Sequence, residues 1–229
     1  SLIVRHLNPI ILAILTLTLL GCGQKSDVKE LKLAHGLDIS HPVHTGMVYM
    51  ADRLEKISDG NMKIKIYPSG QLGSERELLE LLQIGSLSLT KVSAAIVENF
   101  APKFRVLGLP YLFESSEHMY DVLDGPIGEG LLVEGEKFRF RGLCFYDAGS
   151  RSFYTKERPV NEPADLEGMK IRVMKSNTAM NMVSQLGGSP TPISFGELYT
   201  ALQQGVVDGA ENNPPSFYSS RHYEVCKYY

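Results

Sequence analysis

Cysteine is scarce: the 229 residues hold three, too few for a disulfide scaffold. Long apolar runs are scarce as well. The run Ile10–Leu20 spans 11 residues and is broken by two threonines, whereas a bilayer crossing takes about 20. Neither sign of charge prevails. Lys and Arg number 23 against 26 Asp and Glu, a net −3, which speaks against a nucleic-acid surface. Catalytic signatures are missing too: no Gly-x-Ser-x-Gly, no Walker loop, no Gly-x-Gly-x-x-Gly and no Cys-x-x-Cys. The acids are scattered over helix faces rather than paired. What is present is a globular composition, 43% hydrophobic and 21% charged, which predicts a packed core. The length suffices for one large or two small domains, and there is no internal repeat or low-complexity tract.

The N-terminus reads as a targeting segment. Arg5 and His6 precede the short apolar run, the pattern of a secretory signal peptide. Leu19–Leu20–Gly21–Cys22 resembles the bacterial lipobox, so residues 1–21 are expected to be removed and Cys22 lipidated; an ordinary signal peptide with a chance cysteine is the alternative. Residues 22–30 form a polar tether. The chain opens on serine and closes on Val225–Tyr229 without a stop signal, the pattern of a piece cut from a longer protein.

Beyond the tether, strands and helices alternate. Leu31–His35 predicts a strand, Val43–Ser58 a helix and Met62–Tyr67 a strand with Lys63 and Lys65 outward. Ser74 caps the next helix, with Glu75 and Glu77 in its first turn, and Ser86–Val92 predicts a third strand. This βαβαβ order implies a parallel sheet with helices on its faces. Helices are expected at Ser115–Leu123, Ile127–Phe138 and Asn177–Gln185, and from a Ser194–Glu197 capping box to Gln204. Strands are expected at Arg139–Asp147, Ser152–Thr155, Met169–Val173 and Val206–Ala210.

Arg172 sits near the end of a predicted strand, before a helix start at Lys175–Ser176–Asn177. Alternation puts Ile171 and Val173 on one face and Arg172 on the other. A guanidinium there, beside a helix N-terminus, suits a carboxylate. A structural salt bridge with an acid of this chain is the other reading. Arg151 and Asn212 also fall near strand ends, where open α/β sheets bind ligands; Asp147, Asp208 and Glu211 are the acids that could claim either arginine. His35, His41 and His44 form a loose cluster without a third ligand at tight spacing; helix capping or pocket lining is expected ahead of a metal site. Cys144, in an apolar strand, and Cys226 are expected to be buried free thiols.

The phrases YPSGQLGSERELLE (67–80), LGLPYLFES (107–115), DLEGMKIRVM (165–174), PTPISFGELYTALQQGVVDGAEN (190–212) and FYSSRHYEVCKYY (217–229) carry a resemblance. They resemble the solute-binding proteins of tripartite ATP-independent periplasmic (TRAP) transporters, the DctP-type family, from about Leu31 to the last residue. The resemblance implies an α/β, two-lobe periplasmic solute-binding fold, here with the C-terminal part missing. Lobe I would span 31–147 and lobe II 148–229. It implies a small organic acid as ligand, a sodium-coupled membrane permease as partner, and no cofactor. Residue by residue, Arg172 matches the arginine that forks onto the substrate carboxylate. Arg151 matches a second basic residue, Asn212 the pocket asparagine, and Phe195 an aromatic packed on the ligand. Glu75 and Ser93 match the first lobe's face. Ser93 and Ile96 replace an acid and an arginine of the sialic-acid binders, so that ligand is not expected; Ala210 stands where glutamine is commoner. Two rival readings remain: a secreted lipoprotein hydrolase or lyase using the same cleft, and a metal receptor built on the three histidines.

Overall fold

The computed structural model describes residues 28–229. The expected signal segment and Cys22 lie outside them. The first half builds a three-stranded parallel sheet, β1 (Lys29–Ala34), β2 (Met62–Tyr67) and β3 (Leu89–Thr90), in the order β2-β1-β3. Helix α1 (Pro42–Ile57) connects β1 to β2, and α2 (Glu75–Gln83) connects β2 to β3. Pro42 stands in the first turn of α1, and the His41 ring accepts the Val43 N–H as its cap. Ser74 and Glu77 close a reciprocal capping box on α2. Leu33, Leu37, Val43 and Met47 pack against Ile64 and Ile66 on one face, and Ala34 against Leu78 and Leu87 on the other. The third strand is two residues rather than the expected seven. Leu89 and Thr90 pair with Leu33 and Ala34, the last residues of β1, so beyond Thr90 there is no ladder to join. The chain instead turns into α3 (Ala94–Val97).

A helical segment follows: a 3₁₀ stretch Pro102–Gly108, then α4 (Ser116–Leu123) and α5 (Pro126–Glu134). The expected helix to Phe138 stops at Gly135, where a Cβ would lie 2.2 Å from the Phe140 ring. The expected strand Arg139–Asp147 does not form. Phe140 and Phe145 pack instead on Leu79, Ile96, Val97 and Phe104, so apolar character there serves a helical cluster, not a ladder. Cys144 is accordingly exposed, against expectation, while Cys226 is a buried free thiol.

The second sheet contains β4 (Ser152–Thr155), β5 (Lys170–Val173), β6 (Ser189–Pro192) and β7 (Gly209–Asn212) in the order β4-β7-β5-β6. β4 runs antiparallel to β7; the other pairs are parallel. β6 was not among the expected strands. It is an edge strand, where prolines are tolerated in a sheet. Helices α6 (Asn177–Gln185), α7 (Leu198–Gln203) and α8 (Pro214–Ser219) complete this half. The expected Ser194–Glu197 box does not form, and the turn Phe195–Glu197 is 3₁₀. β7 begins three residues later than expected, since Gly205 and Val206 still close the turn after α7. Gly209 is needed there: a Cβ would meet the Tyr154 carbonyl at 2.4 Å. No helix among the described residues is long and apolar enough to cross a membrane.

Candidate functional site

A cavity of about 1260 Å³ lies between the two sheets' halves, and Glu75, Ser93, Arg151, Arg172, Phe195 and Asn212 all line it. Ser176 caps α6, accepting the Ala179 N–H, three residues after β5 ends at Val173. Ile171, Arg172 and Val173 are all buried. Alternation therefore separates two covered faces rather than an inner from an outer one.

Arg172 is 1% exposed. Its Nε donates to the Ile193 carbonyl at 2.8 Å, and its guanidinium lies 5.8 Å from the centre of the Phe195 ring. Its Nη1 is enclosed without a hydrogen-bond partner among the described residues, and no acid there pairs with it. Burial brings its pKa down to about 10; the Tyr154 and Glu211 side chains work upward, and the Arg151 charge downward. A cation taken out of water without a counter-ion costs several kcal/mol. The guanidinium thus keeps its charge at neutral pH with donors uncommitted.

Arg151 is differently placed. Its Nε donates to Glu211 Oε2 at 2.5 Å and Nη2 to Oε1 at 3.1 Å and to the Glu211 carbonyl at 2.9 Å. Nη1 donates to Asn212 Oδ1 at 2.9 Å. Burial works against its charge, but the Glu211 carboxylate prevails and raises its pKa. Of the acids the sequence allowed, Glu211 is the one that claims it. Asn212, the last residue of β7 rather than one beyond the strand, also accepts the Asn213 N–H through Oδ1.

On the opposite wall Glu75 accepts from Lys91 Nζ at 3.0 Å, Ser93 N–H at 3.1 Å and Ser93 Oγ at 3.2 Å. Burial opposes its charge, yet the Lys91 ammonium and the Ser93 donors lower its pKa. All three bonds fall on Oε1, so the Ser93 hydroxyl shares its acceptor with the Lys91 ammonium. The histidines are also committed. His35 Nδ1 accepts the Leu37 N–H and its Nε2 meets His44 Nδ1 at 3.0 Å. His41 caps α1 and meets Ser216 Oγ at 3.1 Å. These bonds use the lone pairs a metal would need.

Sequence reading missed the ties between the halves. Glu98, 1% exposed, accepts from Ser176 Oγ at 2.8 Å and Thr178 N–H at 3.2 Å, and Asn99 donates to the Lys175 carbonyl at 2.7 Å. Nothing local in the sequence marks these residues. It also missed Lys91 beside Glu75, and Tyr154, whose hydroxyl pairs with His222 Nδ1 at 2.8 Å.

Two α/β halves thus face one cavity, with an unpaired guanidinium sunk into its wall. The chain belongs to the bacterial extracellular solute-binding proteins, family 7, the DctP family, which matches residues 33–229. It is 42% identical over 200 residues to the protein YiiZ of Salmonella typhimurium, covering 87% of this chain and 61% of that one. A TRAP periplasmic solute-binding protein of Anaerococcus prevotii, solved with bound D-glucuronate, superposes with a TM-score of 0.85 at 42% identity, covering 88% of this chain and 66% of that one. One from Sulfurospirillum deleyianum with bound succinate gives 0.83 at 31% identity, covering 87% and 64%. The chain thus spans somewhat under two thirds of the length of these relatives. The family and these neighbours are solute-binding proteins, not enzymes.

Proposed function

We propose that this protein is the extracytoplasmic receptor of a TRAP transporter. It captures a small organic carboxylate in the cavity between two lobes, residues 31–147 and 148–229, and delivers it to a sodium-coupled membrane permease. Arg172 is the carboxylate partner, Phe195 covers it, and Asn212 donates a hydrogen bond. Glu75 and Ser93 shape the opposite wall, and Arg151 acts with them from the second lobe. One observation carries this reading: a fully buried arginine that pairs with no acid among the described residues and lines a cavity. Such a charge is unfavourable until an anion joins it, and a carboxylate offers the matching two-oxygen fork. The neighbours' ligands, a sugar acid and a C4 diacid, support the class without choosing within it.

The test is thermal melting of the full-length protein with D-glucuronate, D-galacturonate, succinate and other organic acids. An acid at a hundred times its Kd adds about 2.7 kcal/mol, a rise in Tm of roughly 5–10 °C at this size. A panel in which no acid moves the Tm overturns the reading.

We also propose that Cys22 carries a lipid anchor, on the Leu19–Leu20–Gly21–Cys22 pattern. Cys22→Ser is then expected to move the protein from the membrane to the soluble extracytoplasmic fraction, with its Tm response to acids intact. Unchanged membrane association of that variant rules the anchor out.

A further inference from the structure

We infer that Glu98, which does not itself line the cavity, is a positioning residue for ligand capture: it fixes Arg172 relative to the first half's wall. This rests on the reading of Arg172 as the carboxylate partner. Helix α3 is a single turn with a tie at each end. Ser93 stands at its N-cap and is bound to Glu75. Glu98 stands at its C-cap, 1% exposed. Between them Ile96 and Val97 are buried against Leu79 and Phe104, so the turn is packed into the first half. From its far end Glu98 reaches into the second half. Its Oε1 accepts the Ser176 hydroxyl at 2.8 Å and the Thr178 N–H at 3.2 Å. Ser176 in turn accepts the Ala179 N–H at 3.0 Å. The two side chains thereby satisfy two of the first amides of α6, which a helix cannot bond internally. A carboxylate here also meets the positive end of the helix. The helix end that would attract a ligand's carboxylate is thus filled from within, by the opposite half.

Three neighbouring contacts grip the same stretch. Asn99 donates to the Lys175 carbonyl at 2.7 Å, and Met174 packs into the cluster around Phe104. A Cβ at Gly108 would lie 2.9 Å from Thr178 Cγ2, so the 3₁₀ stretch meets α6 with no room for a side chain. Residues 174–178 are therefore held by the first half, while Lys170–Val173 is a strand of the second sheet. Arg172 lies two residues before that junction. Whatever holds 174–178 sets where its guanidinium stands relative to Glu75 and Ser93 across the cavity. Among these holds, Glu98 alone brings charge-assisted bonds. Helix capping by itself does not require it, since Ser176 already caps α6. Glu98 Oε2, moreover, is enclosed without a partner among the described residues. A buried carboxylate with one oxygen unsatisfied costs stability, the mark of a residue kept for placement rather than for folding.

The experiment pairs two variants of the full-length protein, titrated calorimetrically with D-glucuronate, D-galacturonate, succinate and the rest of the melting panel. Glu98→Asp keeps the charge and withdraws the oxygens by about 1.5 Å, one C–C bond. Glu98→Gln keeps the reach and the acceptor and removes the charge. The Asp variant is expected to bind about tenfold more weakly and the Gln variant to stay within about threefold of wild type, sizes that suit residues touching no ligand. Hydrogen exchange without ligand is expected to quicken over residues 174–179 in the Asp variant but not over β2. Ser115→Ala, which removes the cap of α4, is the control for a purely structural role: it lowers the Tm and leaves the Kd unchanged. Should Glu98→Asp not fold, Asn99→Ala, which cuts the neighbouring tie to Lys175, takes its place with the same expectation. A Kd unmoved in the folded variant, with Arg172→Met still abolishing binding, overturns this inference and leaves the receptor reading standing. A Gln variant as weak as the Asp variant, or weakened binding without quickened exchange, also overturns it. A wild type that binds no acid of the panel, or binding that survives Arg172→Met, overturns both.

Discussion

Replacing Arg172 by methionine is expected to abolish the Tm rise that organic acids produce, and to weaken their binding by about a thousandfold or more. The charge-assisted fork contributes roughly 1.5–3 kcal/mol per hydrogen bond, and truncating one partner of a buried charge pair costs 3–5 kcal/mol. About 4 kcal/mol is a factor of a thousand. The same substitution has an opposite effect on the empty protein. Without an anion the guanidinium is buried, holds one Nη1 without a partner and sits at a pKa brought down to about 10. Methionine fills similar space beside Ile193 and Phe195 without that desolvation cost, so the ligand-free Tm is expected to hold or rise. This is the trade of stability for function that binding sites make. Arg172→Lys keeps the charge but not the planar fork and is expected to fall between. The measurement is paired melting and titration of wild type and both variants; a Met variant that retains the acid-induced rise removes Arg172 from the site.

How much of this was legible in the sequence follows the range of the interactions involved. Elements with local signals came out well. α6 has the expected bounds, Asn177–Gln185, because Ser176 caps it and Gly187 lies just beyond. β2 likewise has its expected bounds, because its lysines and isoleucines alternate. Elements whose fate depends on a distant partner did not. Arg139–Asp147 is apolar enough for a strand, yet only the helical cluster around Phe104 decides that Phe140 and Phe145 go there. β6 was hidden by its prolines, which are tolerable only because nothing pairs on its far side.

The site divides the same way. Six residues named from motif positions line one cavity, and this is a matter of placement; their roles are what the titrations test. What motif position could not supply is the state of each charge. Arg151 and Arg172 read alike in sequence, each near a strand end. Pairing across 60 residues with Glu211 makes one an ion pair, and burial among apolar side chains leaves the other bare.

Acidification is expected to destabilise the protein steeply between pH 6.5 and 4. His35, His41 and His222 are each about 1% exposed or less, and the pKa of each falls to about 4. Burial is the main cause for all three; the neighbouring His44, Lys91 and Arg172 respectively add to it. In the unfolded chain each would titrate at its ordinary 6.5. Between the two values the unfolded state binds more protons, so stability rises with pH across that window and is lost as pH falls through it. The bonds explain why the rings resist protonation. The Nδ1 atoms of His35 and His41 accept backbone N–H groups, and a proton there would displace the donor. A depression of that size corresponds to at most about 3 kcal/mol per histidine, and a typical domain has only about 5–15 kcal/mol in all. Glu75, whose pKa is lowered, acts in the same direction at the acid end. Melting curves from pH 7.5 to 4 are expected to show a Tm flat above 7 and falling progressively below 6.5. His35→Gln and His41→Gln, which cannot charge, are expected to start from a lower Tm but to lose less of it on acidification. His41 matters doubly, since its bond to Ser216 ties the first half to α8. A Tm unchanged down to pH 4.5 in the wild type would show that the three rings accept protons where they stand.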